Sequence, residues 1–221
     1  MATYVSLFHA SAGHILAASL MSAPAAVMLS KILVPETGEP VTAGRIEWSS
    51  MRPAEDNIIE AAANGAIDGV KLAAFIGAMM LAFISLVHFV DYLLGFAHTS
   101  FTQISSYLFA PFAFVMGVPW KDCLEVGNLL GIKVIFNEWI SYQKLGELAA
   151  SGAISPRADM ITTYALCGFA NFGSLGILIG GVSALVPERK KEVAALGMKS
   201  LLAGMLASFM TAAVAGLLIQ K

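Results

Sequence analysis

The chain has 221 residues, 57% of them hydrophobic and only 13% charged, and its formal net charge is -2. Together with a mean hydropathy of +0.76, this excludes an ordinary soluble domain and points to an integral membrane protein. The near-neutral balance leaves no basic footprint for nucleic acid.

Taken in order, residues 1–34 carry no charge before Lys31 and read as one transmembrane helix. Pro24 is the kind of kink that membrane helices tolerate, and the small residues around Ala17, Ser22 and Ala26 allow close helix contact. No basic segment opens a cleavable signal peptide. The chain starts inside apolar sequence, so a portion of protein ahead of Met1 is expected. Residues 35–67 turn polar and are read as a cytoplasmic loop followed by an amphipathic interfacial helix that starts at Pro53. A soluble linker helix fits the same pattern. Residues 68–96 form the cleanest span, with no formal charge between Lys71 and Asp91.

The stretch 97–146 is different. Residues 107–117 are apolar but too short to cross a ~30 Å hydrocarbon core, which needs about 20 residues. Gly117-Val118-Pro119-Trp120 is a turn signal. The helical run 121–142 then holds Lys121, Asp122, Glu125, Lys133 and Glu138, too much charge for a lipid-facing span. Two half-length elements about a turn predict a re-entrant hairpin, covered by protein or water. Residues 155–187 open with Ser155 as cap and Pro156 at the first helical position. They are uncharged from Met160 to Pro187, and the glycines at 168, 173, 176, 180 and 181 predict a broken transmembrane helix. Residues 188–221 supply a basic loop and the final span.

Basic residues favour the cytoplasmic side of short loops. Lys31, Arg45, Arg52 and Lys71 place the first loop inside, and Arg189, Lys190, Lys191 and Lys199 do so for the last. Gln103 and Ser151 are then expected on the periplasmic side, with an even number of crossings between them.

Two polar clusters carry the chemistry. An ionisable side chain at membrane depth marks a functional site by default. Glu138 fits this description, although an exposed loop carboxylate would look the same in sequence. A carboxylate takes hydrogen bonds from two neighbouring hydroxyls at once, which suits the vicinal diol of a sugar. Asn137 and Asn171 add donors and acceptors, Ser174 a hydroxyl, and Phe169 and Phe172 an apolar wall. The stretch 168–176 also fits plain helix packing, with Asn171 as a structural hydrogen-bonder. Cys123 and Cys167 lack metal-ligand spacing and read as packed thiols. No nucleophile–base or phosphate-loop pattern appears, so no enzyme is expected.

Gly131-x-Lys133-x-x-x-Asn137-Glu138-Trp139-x-Ser141-Tyr142 resembles a signature of the concentrative nucleoside transporters, with Trp139-Ile140-Ser141 in place of the usual Phe-Val-Ala. Gly168-Phe169-Ala170-Asn171-Phe172-Gly173-Ser174-Leu175-Gly176 is similar to the second signature of that family. Ser22-Ala23-Pro24-Ala25 and Phe109-Ala110-Pro111-Phe112 also look like family sequence. The resemblance implies an all-α integral membrane protein, half of an inverted-repeat transporter, with transmembrane helices, one re-entrant hairpin and one broken helix. It implies a bacterial inner-membrane symporter that takes a nucleoside with Na+ or H+ and forms a homotrimer at full length. Substrate contacts would fall on Glu138, Phe169, Asn171, Ser174 and Asn137. The family's first hairpin, with its Gly-Gln-Thr-Glu motif, is absent, and the coupling-ion ligands lie outside the chain. A non-transporting fragment or packing subunit is the competing expectation.

Overall fold

The computed structural model describes residues 2–8, 10–38, 57–96 and 98–219. Arg45 and the expected start of the interfacial helix at Pro53 lie outside the described residues. Every regular element among the described residues is helical: α1 Ala2–Phe8, α2 Ala12–Leu33, α3 Ile58–Gly95, α4 Phe101–Val115, α5 Cys123–Ile135, α6 Glu138–Ala150, α7 Pro156–Leu166, α8 Phe172–Leu185 and α9 Lys190–Leu218. Of these, α2 and the Lys191–Leu218 stretch of α9 pass, by length and composition, as membrane-crossing helices.

Side-chain caps set most of the boundaries. Ser11, Asn57, Ser100, Asn137, Ser155 and Asn171 each accept a backbone N–H from the first turn that follows, which satisfies a donor that the helix cannot. Ser11 thus divides the first 34 residues into α1 and α2, where the apolar run reads as one span. Pro24 stays inside α2 without ending it. Further along, the expected interfacial segment and the next span are one helix. α3 runs for 38 residues, about 57 Å at 1.5 Å per residue. No proline stands between Asn57 and Gly95 to divide it.

α9 is the central post, packing against α2, α7 and α8. Its packed side is lined by small residues: Ala203, Ala207, Ser208, Ala212 and Ala215 are all buried. Small residues let helix backbones approach closely where apolar burial gives no preference for protein over lipid. α4 and α5 form the closest-packed pair. A Cβ on Gly127 would run into the Ser106 carbonyl and the Ala110 amide, and one on Gly131 into Ser105.

The chain from α4 to α6 turns twice. The first turn is at Gly117 (φ +92°) and Pro119, where the sequence predicts it. The second, at Phe136 and Asn137, interrupts what reads as one helical run over 121–142. α6 folds back along α5 there, and the Ser141 hydroxyl donates to the Leu129 carbonyl across the pair. A single side chain ties the first turn to the end of the chain. Arg157 donates from Nε to the Gly117 carbonyl (3.1 Å), from Nη1 to Ile219 (2.7 Å) and from Nη2 to Gly216 (2.6 Å). Asp122 sits beside this clamp and accepts the Ser155 hydroxyl at 2.6 Å.

Candidate functional site

Two chain breaks meet in the interior. One is the tip between α5 and α6. The other is the stretch 167–171 between α7 and α8, where Gly168 adopts φ +146° and a Cβ would crowd the Ser208 hydroxyl at 2.8 Å. Breaking two helices inside an apolar protein frees backbone groups that lipid cannot satisfy. Side chains from neighbouring helices answer them one by one. The Tyr142 hydroxyl donates to the Thr163 carbonyl (2.7 Å), and the Lys133 ammonium to the Ala165 carbonyl (2.8 Å). Both carbonyls belong to the last turn of α7. Ser208 of α9 accepts from Lys133 at 3.2 Å and reaches the Cys167 carbonyl at 3.4 Å.

The N-terminal ends are closed by asparagines. Asn137 Oδ1 accepts the Ile140 amide at 3.0 Å. Asn171 and Ser174 form a reciprocal capping box, with Asn171 Oδ1 on the Ser174 amide at 2.6 Å and Ser174 Oγ on the Asn171 amide at 3.1 Å. The Ser174 hydroxyl lies within reach of two backbone carbonyls, Phe169 (2.7 Å) and Asn171 (2.8 Å), which share its one proton.

A hydrogen bond joins the two breaks. Asn171 Nδ2 donates to Glu138 Oε2 at 3.0 Å. Glu138 is 7% exposed and Asn171 3%. The carboxylate therefore sits in the first turn of α6 and against the cap of α8, where two positive helix ends favour a negative charge. Lys133, 0% exposed, sits at the opposite pole, in the last turn of α5 and against the last turn of α7. Tyr4 of α1 lies against the same helix, its ring packed on Tyr142 with centroids 4.7 Å apart and on Trp139 at 5.8 Å.

Of the five residues singled out in the sequence, Glu138 and Asn171 come into direct contact. Ser174 lies one helical turn from that bond and Asn137 caps the helix that carries Glu138. Phe169 lies in the second break but points outward and is 76% exposed. Lys133, Tyr142 and Ser208 join the site without standing among the residues that the sequence singles out. Lys133 had a signal, being a charge inside an apolar run; the other two are ordinary in composition, and their partners are backbone carbonyls.

The C-terminus of the Na+ dependent nucleoside transporters is the family model that matches, over residues 14–216. The chain belongs to this family. Its members are multi-pass membrane transporters, not enzymes. Solute carrier family 28 member 3 of Mus musculus is 41% identical over 99% of this chain, which spans 34% of that protein. The uncharacterized transporter YutK of Bacillus subtilis is 39% identical over 93% of this chain and 52% of its own length. Among solved structures, CNTnw in an inward-facing substrate-bound state superposes with a TM-score of 0.78 at 37% identity. That match covers 97% of this chain and 52% of the other. The nucleoside-transporter chain described here thus spans about half of the last two relatives and about a third of the first.

Proposed function

We propose that this chain supplies the ribose-binding half of a nucleoside symport site in a bacterial inner membrane, driven by Na+ or H+ and working as a homotrimer at full length. The observation that carries the reading is the Glu138–Asn171 bond. It brings a buried carboxylate and a carboxamide from two separate chain breaks to one point, and a carboxylate there suits paired sugar hydroxyls. The family's description as Na+ dependent nucleoside transporters supports the solute class. Broken helices place solute near the midplane, at an interface between two repeats. The hairpin of α5 and α6 is accordingly read as re-entrant, with its tip at the solute. In this reading Phe169, exposed in the chain alone, lines the side of the site that faces the missing repeat, and Asn137 and Ser174 hold the two helix ends in register.

A second reading, a packing subunit that does not transport, is favoured by Tyr4. Its ring packs on Trp139 and Tyr142 of α6, the helix that carries Glu138, so α1 already covers that end of the site. Uptake separates the two. The 221-residue chain expressed in cells without other nucleoside uptake is expected to give no ion-coupled uridine transport, because half the site is elsewhere. Joined to the portion of the Bacillus subtilis relative that it does not cover, it is expected to transport. No uptake by the joined protein, at normal membrane abundance, would favour the packing subunit.

A further inference from the structure

The position of Lys133 has a consequence of its own. Its side chain is fully buried, and burying an ammonium in an apolar protein costs several kcal/mol unless charge and hydrogen bonds compensate. The hydrogen bonds go to the Ala165 carbonyl and the Ser208 hydroxyl. Among the described residues the ion pairs are Lys31–Glu36, Lys71–Asp68 and Arg189–Glu192, all exposed, and Lys133 is in none of them. The buried carboxylate within α5 and α6 is Glu138, in the first turn of α6. The two breaks together therefore enclose one positive and one negative charge, held apart at opposite helix poles.

In broken-helix transporters the coupling cation binds to unwound carbonyls and to the C-terminal ends of half-helices. The Lys133 ammonium stands in such a place, on the C-terminal turn of α7. We propose that Lys133 is a built-in monovalent cation. It fills the cation position of this half of the site and neutralises Glu138, so this half takes no coupling ion of its own. The inference rests on the reading of the two breaks as a transport site, but its test needs no solute, so the two can fail separately.

Replacing Lys133 with methionine keeps most of the length and removes the charge. It leaves the Ala165 carbonyl and the Ser208 hydroxyl without a cation and the buried carboxylate without a counter-ion, so Na+ is expected to enter where the ammonium stood. Thermal unfolding of the purified chain would be followed in NaCl and in choline chloride at equal ionic strength. The wild type is expected to melt at the same temperature in both salts. Lys133→Met is expected to melt lower in choline and to gain, saturably with Na+, on the order of 3 °C or more. Lys133→Met/Glu138→Gln, neutral again, is expected to lose the Na+ response and to melt above the single variant in choline. A simple packing role for Lys133 moves the melting temperature but gives no Na+-specific gain and no relief from Glu138→Gln. A Na+ response in the wild type, its absence in Lys133→Met, or its persistence in the double variant would overturn the proposal. If Lys133→Met yields no folded protein in either salt, the yield of the double variant decides. Recovery supports the proposal, and failure of both contradicts it.

Discussion

Arg157 holds three backbone carbonyls at once, Gly216 in the last turn of α9, Ile219 at its C-cap and Gly117 in the turn between α4 and α5. A planar fork suits that task, since it presents fixed donors and stays charged. A cation is also favoured at a helix C-terminus. Each hydrogen bond to a charged group is worth about 1.5–3 kcal/mol, and such bonds are not additive. Arg157→Ala is expected to cost about 3 kcal/mol, or roughly 6–12 °C in thermal midpoint for a chain of this size. Arg157→Lys should recover less than half of the loss, because one ammonium cannot reach three separated carbonyls. An unchanged midpoint for Arg157→Ala would mean that the clamp holds nothing. At this scale the sequence was informative where a polar side chain stood out from apolar neighbours. Glu138 and Asn171 were visible for that reason, and the structure puts them in contact. The partners of Lys133, Tyr142 and Arg157 were not visible, because backbone carbonyls are the same at every residue.

The helix breaks were legible only in part. Glycines announced the one between α7 and α8. The tip at Phe136 and Asn137 was hidden, because Asn137 caps α6 from within a run that keeps its apolar period on both sides. The join of the interfacial segment to the following span was missed for the opposite reason, since a change in composition is not a helix stop. The packing of α4 on α5 gives a test of element geometry. A Cβ at Gly127 clashes with backbone atoms of Ser106 and Ala110, whereas the clashes of one at Gly131 are with the Ser105 side chain, the Ser105 Cα lying at an ordinary 3.6 Å. Gly131→Ala should therefore be relieved by Ser105→Gly, and Gly127→Ala should not be relieved by Ser106→Gly. Overpacking typically costs 1–3 kcal/mol, and Gly127→Ala is expected at the upper end, about 3 kcal/mol. Thermal midpoints of the four variants would check this. Equal relief in both pairs would mean that α4 and α5 are free to move apart.

For the whole molecule, the loop charges predict that positions 103 and 151 face the periplasm and that the basic segment at 189–192 faces the cytoplasm. In a background with Cys123 and Cys167 replaced, Gln103→Cys and Ser151→Cys should react with an impermeant thiol reagent added to intact cells, and Arg189→Cys should not. The reverse pattern would invert the orientation. Among the described residues the long α3 helix packs mainly on α8 and α4, and it leaves Val70, Leu81, Leu86 and Phe89 exposed. That is the surface expected of a helix facing lipid or further protein. The central claim concerns the place where the two breaks meet, and it can be measured directly. With the chain joined to the missing portion of a relative, affinities for a ribonucleoside and for its 2′-deoxy counterpart are compared in wild type and Glu138→Gln at matched protein levels. The amide keeps the shape but loses the charge and one acceptor. Ribonucleoside affinity is expected to fall roughly ten- to a hundredfold, corresponding to about 1.5–3 kcal/mol, with a clearly smaller fall for the deoxy ligand. An equal fall for both ligands would contradict the account and leave Glu138 as a structural carboxylate between α6 and α8.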